Sequence, residues 1–452
     1  MHTVTSATLT HGSVHTGLMN LTVPMILGIS SSLFAAVFET WLLGRISTET
    51  LAAYSFTFPV VGALTSLSLG LSIGLSAVLA RTVGAGDQTA IKRLATDGVL
   101  LMAVVMTVVT ILGILTIKPL FTLMGAQPET LKLINAYMII WYFGLLFLAL
   151  PSIGANALRA AGDSRISGLL MVGGAVLQMI LDPILILGLM GAPKLGIEGA
   201  AYAMVISRFV LCIVTFYVLV NWKKIVEFKK PKLPELIASW KAILNVGLPA
   251  TATNLIGPVS TAIIVSMLAS YGSEAVAGFG IASRIEALSV IPLFALSASI
   301  GPFVGQNWGA NKIDRANQAM MLAFTWSLLW GLFIAVLFFL FKEPLVLFFE
   351  DDKDVAAYAA LYLLIVPFSY GTWGVLMMAS ATFNSLGKPL VSTSMSIVRM
   401  FFLYVPLAFV GEYFAGIAGI FGAACISNIL MGIVGFTLNR RAYGPNGSQI
   451  NP

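Results

Sequence analysis

Three stretches of this chain, Thr50 to Ala80, Ala242 to Ser273 and Val355 to Gly387, each run for more than thirty residues without a charged side chain. An α-helix needs only about 20 apolar residues to cross a bilayer, because each residue advances it by ~1.5 Å. Of the 452 residues, 58% are hydrophobic and 10% charged, with a mean hydropathy of +0.94, whereas charged residues make up roughly a quarter of an ordinary soluble domain. A soluble fold of this size lacks the interior to hide so much apolar surface. The chain therefore reads as an all-α polytopic membrane protein. Twelve apolar segments can be marked off by charges and turn residues: 17–44, 51–80, 98–117, 133–157, 166–190, 199–221, 243–271, 275–305, 317–341, 356–383, 389–411 and 415–438. None alternates apolar and polar residues as barrel strands do.

The first sixteen residues lack the basic start, short apolar core and cleavage site of a secretory signal, so the first hydrophobic run is expected to be a retained span. Odd-numbered loops hold six basic residues (Arg45, Lys118, Lys132, Lys194, Lys342, Lys353), and even-numbered loops with the C-terminal tail hold sixteen. That bias puts the even loops and both termini in the cytoplasm. The densest cluster, Lys223, Lys224, Lys229, Lys230 and Lys232, reads as an anchoring loop near anionic lipid. The acidic run from Glu350 to Asp354 reads as a solvated external loop.

Enzyme chemistry is poorly supplied. Cys212 and Cys425 lie in apolar runs, and His2, His11 and His15 all fall in the first fifteen residues. No usual metal centre and no Ser/His or Cys/His pair can be assembled within the membrane, so neither catalytic residues nor metal ligands are expected. The absence of a GxxxxGK[ST] loop excludes ATP as the direct energy source, and no cofactor is implied.

The halves repeat at a constant shift of 225 residues: Asn20 and Pro24 match Asn245 and Pro249, Glu49 and Ala52 match Glu274 and Ala277, Gly84 and Ala85 match Gly309 and Ala310, and Gly162 matches Gly387. After a slip of two, Gly196-Ile197-Glu198-Gly199-Ala200-Ala201 matches Gly419-Ile420-Phe421-Gly422-Ala423-Ala424. The expected organisation is an N-terminal six-helix lobe (1–222), a basic linker (223–242) and a C-terminal six-helix lobe (243–452). Each lobe crosses an even number of times, so the two are related by a pseudo-two-fold axis along the membrane normal. Two such bundles can rock about a central cleft.

Six ionisable residues fall inside spans: Glu39, Asp182, Arg208, Arg284, Glu286 and Arg399. A charge there is costly unless paired or facing water, so each is a functional candidate. Arg284 and Glu286, two apart, lie on different faces, where packing between lobes is one role. Arg208 and Arg399 can snorkel or pair with a carboxylate. Glu39 and Asp182 both belong to the first half, and the matching positions, Ile264 and Leu407, are apolar. Asp182 precedes Pro183 and shares a helix face with Gln178, four residues back. Buried carboxylates near one another hold protons more tightly than in water. Such a pair can cycle a proton, coordinate a hard cation, or clamp two helices.

The phrase Pro24-Met25-Ile26-Leu27, followed by Glu39-Thr40-Trp41-Leu42-Leu43-Gly44, resembles the first helix of multidrug and toxic compound extrusion (MATE) transporters. Leu158-Arg159-Ala160-Ala161-Gly162-Asp163, Leu181-Asp182-Pro183, Gly305-Gln306-Asn307-Trp308-Gly309-Ala310 and the two Gly-Ile-x-Gly-Ala-Ala copies are similar to that family's patterns, in order. Within it the chain resembles the DNA-damage-inducible bacterial branch. The resemblance implies that Glu39 and Asp182 couple a cation, with Gln178 and Tyr137 beside them, and that Pro24 is the hinge of helix one. Glu39 and Gln178 stand where the family usually has the shorter Asp and Asn. Ala200 replaces a threonine that ligates sodium in some members, which points to a proton rather than sodium. The implied function is a cation-coupled antiporter of the bacterial inner membrane. It would export small amphipathic or cationic compounds, act as a monomer among membrane lipid, and have no nucleic-acid partner. The alternative is a flippase for a lipid-linked intermediate, a class in which basic residues line the cleft; Arg208, Arg284 and Arg399 keep it open. Tyr370, Trp373, Met377 and Met378 on span ten are candidate cavity walls, or core.

Overall fold

A computed structural model describes residues 7–227, 232–347, 349 and 352–442, with Thr48 described in its backbone only. His2, Lys229, Lys230, Glu350, Asp351 and the tail beyond 442 lie outside the described residues.

The first half forms α1 (Val14–Gly44), α2 (Thr48–Ala85), α3 (Gln88–Leu123), α4 (Pro128–Ala160), α5 (Ser164–Leu187) and α6 (Ile197–Tyr217). The second forms α7 (Leu233–Leu268), α8 (Ser273–Ser289), α9 (Ile291–Gly309), α10 (Ile313–Leu347), α11 (Lys353–Ile365), α12 (Tyr370–Ser385), α13 (Pro389–Ile397) and α14 (Val405–Ala442). Among the described residues there is no strand.

Among the described residues ten helices are long and apolar enough to span a membrane, and α8 with α9, bent by 46° at their junction, makes an eleventh. The run Pro389–Ala442 counts as one of the ten at 54 residues, far beyond a bilayer's thickness, and is divided at Gly416, whose φ of 57° breaks the helix. Twelve transmembrane helices result, in two six-helix bundles. They extend past their apolar cores: Arg81, Arg159 and Arg165 lie within helices, and α7 starts at Leu233 with Pro234 in its first turn. Proline there sacrifices only a donor that has no intrahelical partner.

Helix starts follow the repeat. Thr48 and Ser273, Gln88 and Ile313, Pro128 and Lys353, and Ser164 and Pro389 are pairs of starting residues, each 225 apart. Caps set several of them: Ser47, Asp87 and Asp163 accept hydrogen bonds from the backbone N–H groups of Thr50, Ala90 and Ile166 at 3.1, 3.0 and 3.2 Å. Such caps satisfy donors left free at a helix start.

Two compact units are formed, and the division is not a single cut in the sequence. Among the described residues, one comprises Ala7, Thr8 and Val23–Thr251, the other Leu9–Thr22 with the chain from Ala252 to Ala442. In the first, α4 packs against α2, α3, α5 and α6 over a core that includes Leu75, Leu79, Phe121 and Ile134. In the second, α12 packs against α9, α10 and α14, with Phe303, Phe324 and Phe421 fully buried. There Gln306 and Asn307, both buried, bind the backbone of Leu9 at 3.2 Å each. Arg315 donates to the carbonyls of Leu9, His11 and Gly12. The Gly-Gln-Asn-Trp-Gly-Ala motif thus anchors the segment leading into helix one.

Where α10 crosses α12, a Cβ on Gly331 would run into the backbone of Gly371, whereas one on Gly62 of α2 would meet nothing within 4 Å. Gly331→Ala should therefore lower the melting temperature of the detergent-solubilised protein, by an overpacking cost of about 1–3 kcal/mol. Gly62→Ala should leave it unchanged or raised, since alanine is the better helix former by roughly 0.5–1 kcal/mol. Equal melting temperatures for the two variants would contradict the crossing.

Candidate functional site

In the first unit α1, α2, α4, α5 and α6 bring the intramembrane polar residues to one place. Glu39 on α1 is 5% exposed and Asp182 on α5 is fully buried. Gln178, one turn before Asp182, donates from Nε2 to Glu39 Oε2 at 3.1 Å. Glu39 and Asp182 interact electrostatically with each other, and Arg208 on α6 interacts with Glu39. Tyr137 on α4, also buried, stacks edge-to-face on Tyr54 of α2 with ring centroids 5.6 Å apart. The Tyr54 hydroxyl faces Glu39. All four residues singled out in the sequence, Glu39, Gln178, Asp182 and Tyr137, are therefore neighbours.

Three oxygens in this cluster, Glu39 Oε1 and both carboxyl oxygens of Asp182, are buried without a hydrogen-bond partner in the protein. Unpaired buried acceptors are costly, and a charged pair more so. A structural clamp would have satisfied them. Uptake of a cation or proton by the carboxylates removes the penalty, which gives the site a chemical reason to bind one. Ala200 is fully buried and offers no side-chain oxygen.

Pro24, the hinge candidate, belongs to the same unit. α1 runs unbroken through Pro24. A Cβ on Gly168 of α5 would lie 2.5 Å from the Pro24 carbonyl oxygen and 2.9 Å from the Pro24 Cβ, so only glycine admits this approach. Nearby, Arg159 is buried and donates to Ser167 at 2.9 Å and towards the Met25 sulfur at 3.4 Å. Asp163, which caps α5, also pairs with Lys223 of the basic loop at 2.6 Å.

Sequence reasoning offered Arg208 as a partner for a carboxylate, in keeping with its interaction with Glu39, but missed Tyr54. It also missed a buried cluster in the second unit. There Tyr362 and Tyr370 donate to Glu286 Oε2 at 2.5 and 2.9 Å. Arg399 donates to Asn428 Oδ1 at 2.9 Å, and Asn428 donates to Ser369 at 3.0 Å. Tyr362 lies 225 residues after Tyr137, so the repeat itself could have pointed there. Tyr370 and Met378, candidate cavity walls from the sequence, are core residues at 1% and 0% exposure. Trp373 and Met377 are half-buried. Among the described residues no cluster of three metal-ligating side chains occurs.

The MatE family model matches this chain twice, over residues 24–184 and 249–410, beginning at Pro24 and again at Pro249. The chain belongs to the MatE family. It is a transporter of the multidrug and toxic compound extrusion class, not an enzyme. A Shewanella oneidensis protein named FAD transporter is 34% identical over 95% of each chain. The probable multidrug resistance protein YoeA of Bacillus subtilis is 27% identical over 82% of this chain and 81% of its own. Among solved structures, a mutant of the Vibrio cholerae MATE transporter VcmN superposes with a TM-score of 0.91 at 28% identity, covering 98% of each chain.

Asp182→Asn keeps the shape of the site and removes its charge. It should abolish concentrative export in proteoliposomes without changing expression or the elution profile. Glu39→Gln should be equally inactive, whereas Glu39→Asp should retain part of the activity with a displaced pH optimum. Parental rates in either amide variant would remove that residue from the mechanism.

Proposed function

We propose that this MatE transporter is a proton-coupled antiporter of the bacterial inner membrane, with both termini in the cytoplasm, that exports small amphipathic compounds by alternating access. The observation that carries this reading is the set of three unpaired carboxylate oxygens on Glu39 and Asp182. Arg208 balances one of the two carboxylates, and one negative charge is left over. A proton neutralises it by binding to the carboxylate itself. A sodium ion would have to sit near the guanidinium with few side-chain oxygens to complete its shell, since Ala200 supplies none and Gln178 turns its amide N–H towards Glu39. Charge repulsion and a sparse ligand set both favour the proton.

For the substrate, the MatE relatives named as multidrug proteins favour amphipathic, often cationic, compounds. A second reading, FAD, is favoured by the Shewanella relative, which is more similar than these over nearly the whole chain. Efflux of ethidium, of FAD and of a lipid-linked sugar from the same proteoliposomes separates the two readings from flippase activity.

An imposed pH gradient alone should drive export in sodium-free proteoliposomes. A sodium requirement with no response to the pH gradient would overturn proton coupling.

The hinge reading joins the site to motion. Proline removes one helical hydrogen bond and crowds the preceding turn, which lowers the cost of bending α1 below Glu39. Pro24→Ala should slow transport several-fold while substrate binding persists, and Pro249→Ala should be milder, because no carboxylate follows it on α7. Two harmless substitutions, or a more damaging Pro249→Ala, would remove the hinge.

A further inference from the structure

Of the three intramembrane arginines, two are buried among polar groups of their own unit. Arg208 lies within electrostatic range of Glu39, with its Nε lacking a hydrogen-bond partner, and Arg399 is bonded to Asn428 at 2.9 Å. Arg284 is different. It sits eleven residues into α8, is exposed, and has no hydrogen bond, ion pair or aromatic partner among the described residues. The nearest carboxylate in sequence, Glu286, lies on another face and is held by Tyr362 and Tyr370.

The face that carries Arg284 is also unlike a lipid-facing one. Ala277, Gly280, Arg284 and Leu288 are exposed at spacings of three, four and four residues, one stripe of the helix. The opposite stripe, Ala275, Gly278, Phe279, Ala282 and Ile285, is buried in the second unit. A Cβ on Gly280 would meet nothing within 4 Å, so the space one turn before Arg284 is open. Exposed helix faces elsewhere in this unit carry large apolar groups such as Leu332, Phe333, Leu340 and Phe402. An intramembrane arginine that is neither packed nor paired belongs on a water-filled surface.

We propose that Arg284 is the anion-recognising residue of the transport pathway and binds the phosphate groups of a phosphate-ester substrate. The inference rests on the FAD reading above and deepens it. A guanidinium presents a planar fork of donors that matches phosphate oxygens two at a time. The small side chains at Ala277 and Gly280 leave room for the ligand beside it. A cationic drug gains nothing from this residue and is repelled by it. Phosphate on a soluble dinucleotide and diphosphate on a lipid carrier share this chemistry; the dinucleotide is the one proposed, since the similar FAD transporter carries it.

The test is equilibrium binding to the full-length protein in nanodiscs, using FAD, riboflavin (the same ring without phosphate), ADP, farnesyl diphosphate and ethidium. Parent, Arg284→Gln and Arg284→Lys are compared. Loss of one charge-assisted contact should weaken FAD and ADP about ten- to a hundredfold in Arg284→Gln. Riboflavin should be unaffected, ethidium unchanged or tighter, and Arg284→Lys intermediate. Ethidium binding by Arg284→Gln shows that the variant is folded. If FAD binds parent and Arg284→Gln alike, the role of Arg284 falls and the FAD reading stands. If the parent ignores FAD but binds ADP through Arg284, the FAD reading falls and the anion site stands. Binding of farnesyl diphosphate alone would overturn the dinucleotide in favour of a lipid-linked substrate. No binding of any phosphate ester overturns both.

Discussion

Hydrocarbon supplies no hydrogen-bond partner and little hydrophobic drive between helices, so the chain must satisfy its backbone within helices and join them by close packing and shared polar groups. Both means of joining meet where α1 lies against α5. Gly168 admits the Pro24 backbone at one level, Gly28 packs against Met171 further along, and Gln178 reaches Glu39 beyond that. The same register that closes the glycine contact therefore places the carboxylate of one helix beside the amide and carboxylate of the other. Moving either helix by a turn would lose both the packing and the site. Packing and chemistry are coupled here through a single helix pair.

The two units treat their buried charges differently. In the second, Glu286 receives two phenolic hydrogen bonds and lies within electrostatic range of Arg399, so its charge is satisfied by fixed protein groups. In the first, Glu39 has Gln178, Tyr54 and Arg208 around it, yet Glu39 Oε1 and both carboxyl oxygens of Asp182 are left without a hydrogen-bond partner. Satisfied networks rigidify, and unsatisfied ones respond to whatever relieves them. Tyr137 and Tyr362 occupy the same place in the repeat, yet the first lies in the Glu39 cluster and the second donates to a glutamate on α8. The duplication kept the aromatic position, while the carboxylates around it sit on different helices.

What could be seen in the sequence follows from which signals are local. Uncharged runs marked the spans, and the constant offset revealed the duplication; the helix starts themselves, as at Gln88 where the apolar run begins at 98, lie in polar flanks that the apolar runs do not reach. Glu39 and Asp182 stood out because charge inside a span is expensive anywhere along it, and Gln178 because it lies one turn before Asp182 on the same face. The division of Pro389–Ala442 near Gly416 was legible as the gap between spans 389–411 and 415–438, whereas the bend between α8 and α9 was not, since glycine and proline also occur in unbroken helices here, as at Gly62 and Pro24. Tyr54 was hidden for another reason: tyrosine is common in apolar spans, and only the meeting of α2 with α1 gives its hydroxyl a role. Arg208 and Arg399 looked equivalent until the structure gave Arg399 a hydrogen bond to Asn428 and set Arg208 within electrostatic range of Glu39.

The chain passes from one unit to the other at Thr22 and Val23, and again at Thr251 and Ala252, within two residues of Pro24 and of Pro249 respectively. Each proline leaves a carbonyl without its helical donor close to where its helix changes units, so bending is least costly there. The two crossings are matched in backbone and unequal in charge. Beyond Pro24 the helix carries Glu39, and beyond Pro249 it carries Ile264, which is buried at 2% exposure. A proton shifts a conformational equilibrium only by binding one state more tightly than the other. Only the first helix has a group through which that difference can act. The second crossing bends, if at all, in response to contacts and substrate, not to protonation. On the proposed reading, a duplicated scaffold with buried carboxylates in only one copy of the proline helix separates the two tasks of an antiporter: the ion would be sensed in the first unit, leaving the second free to carry features such as Arg284 that would select what is moved.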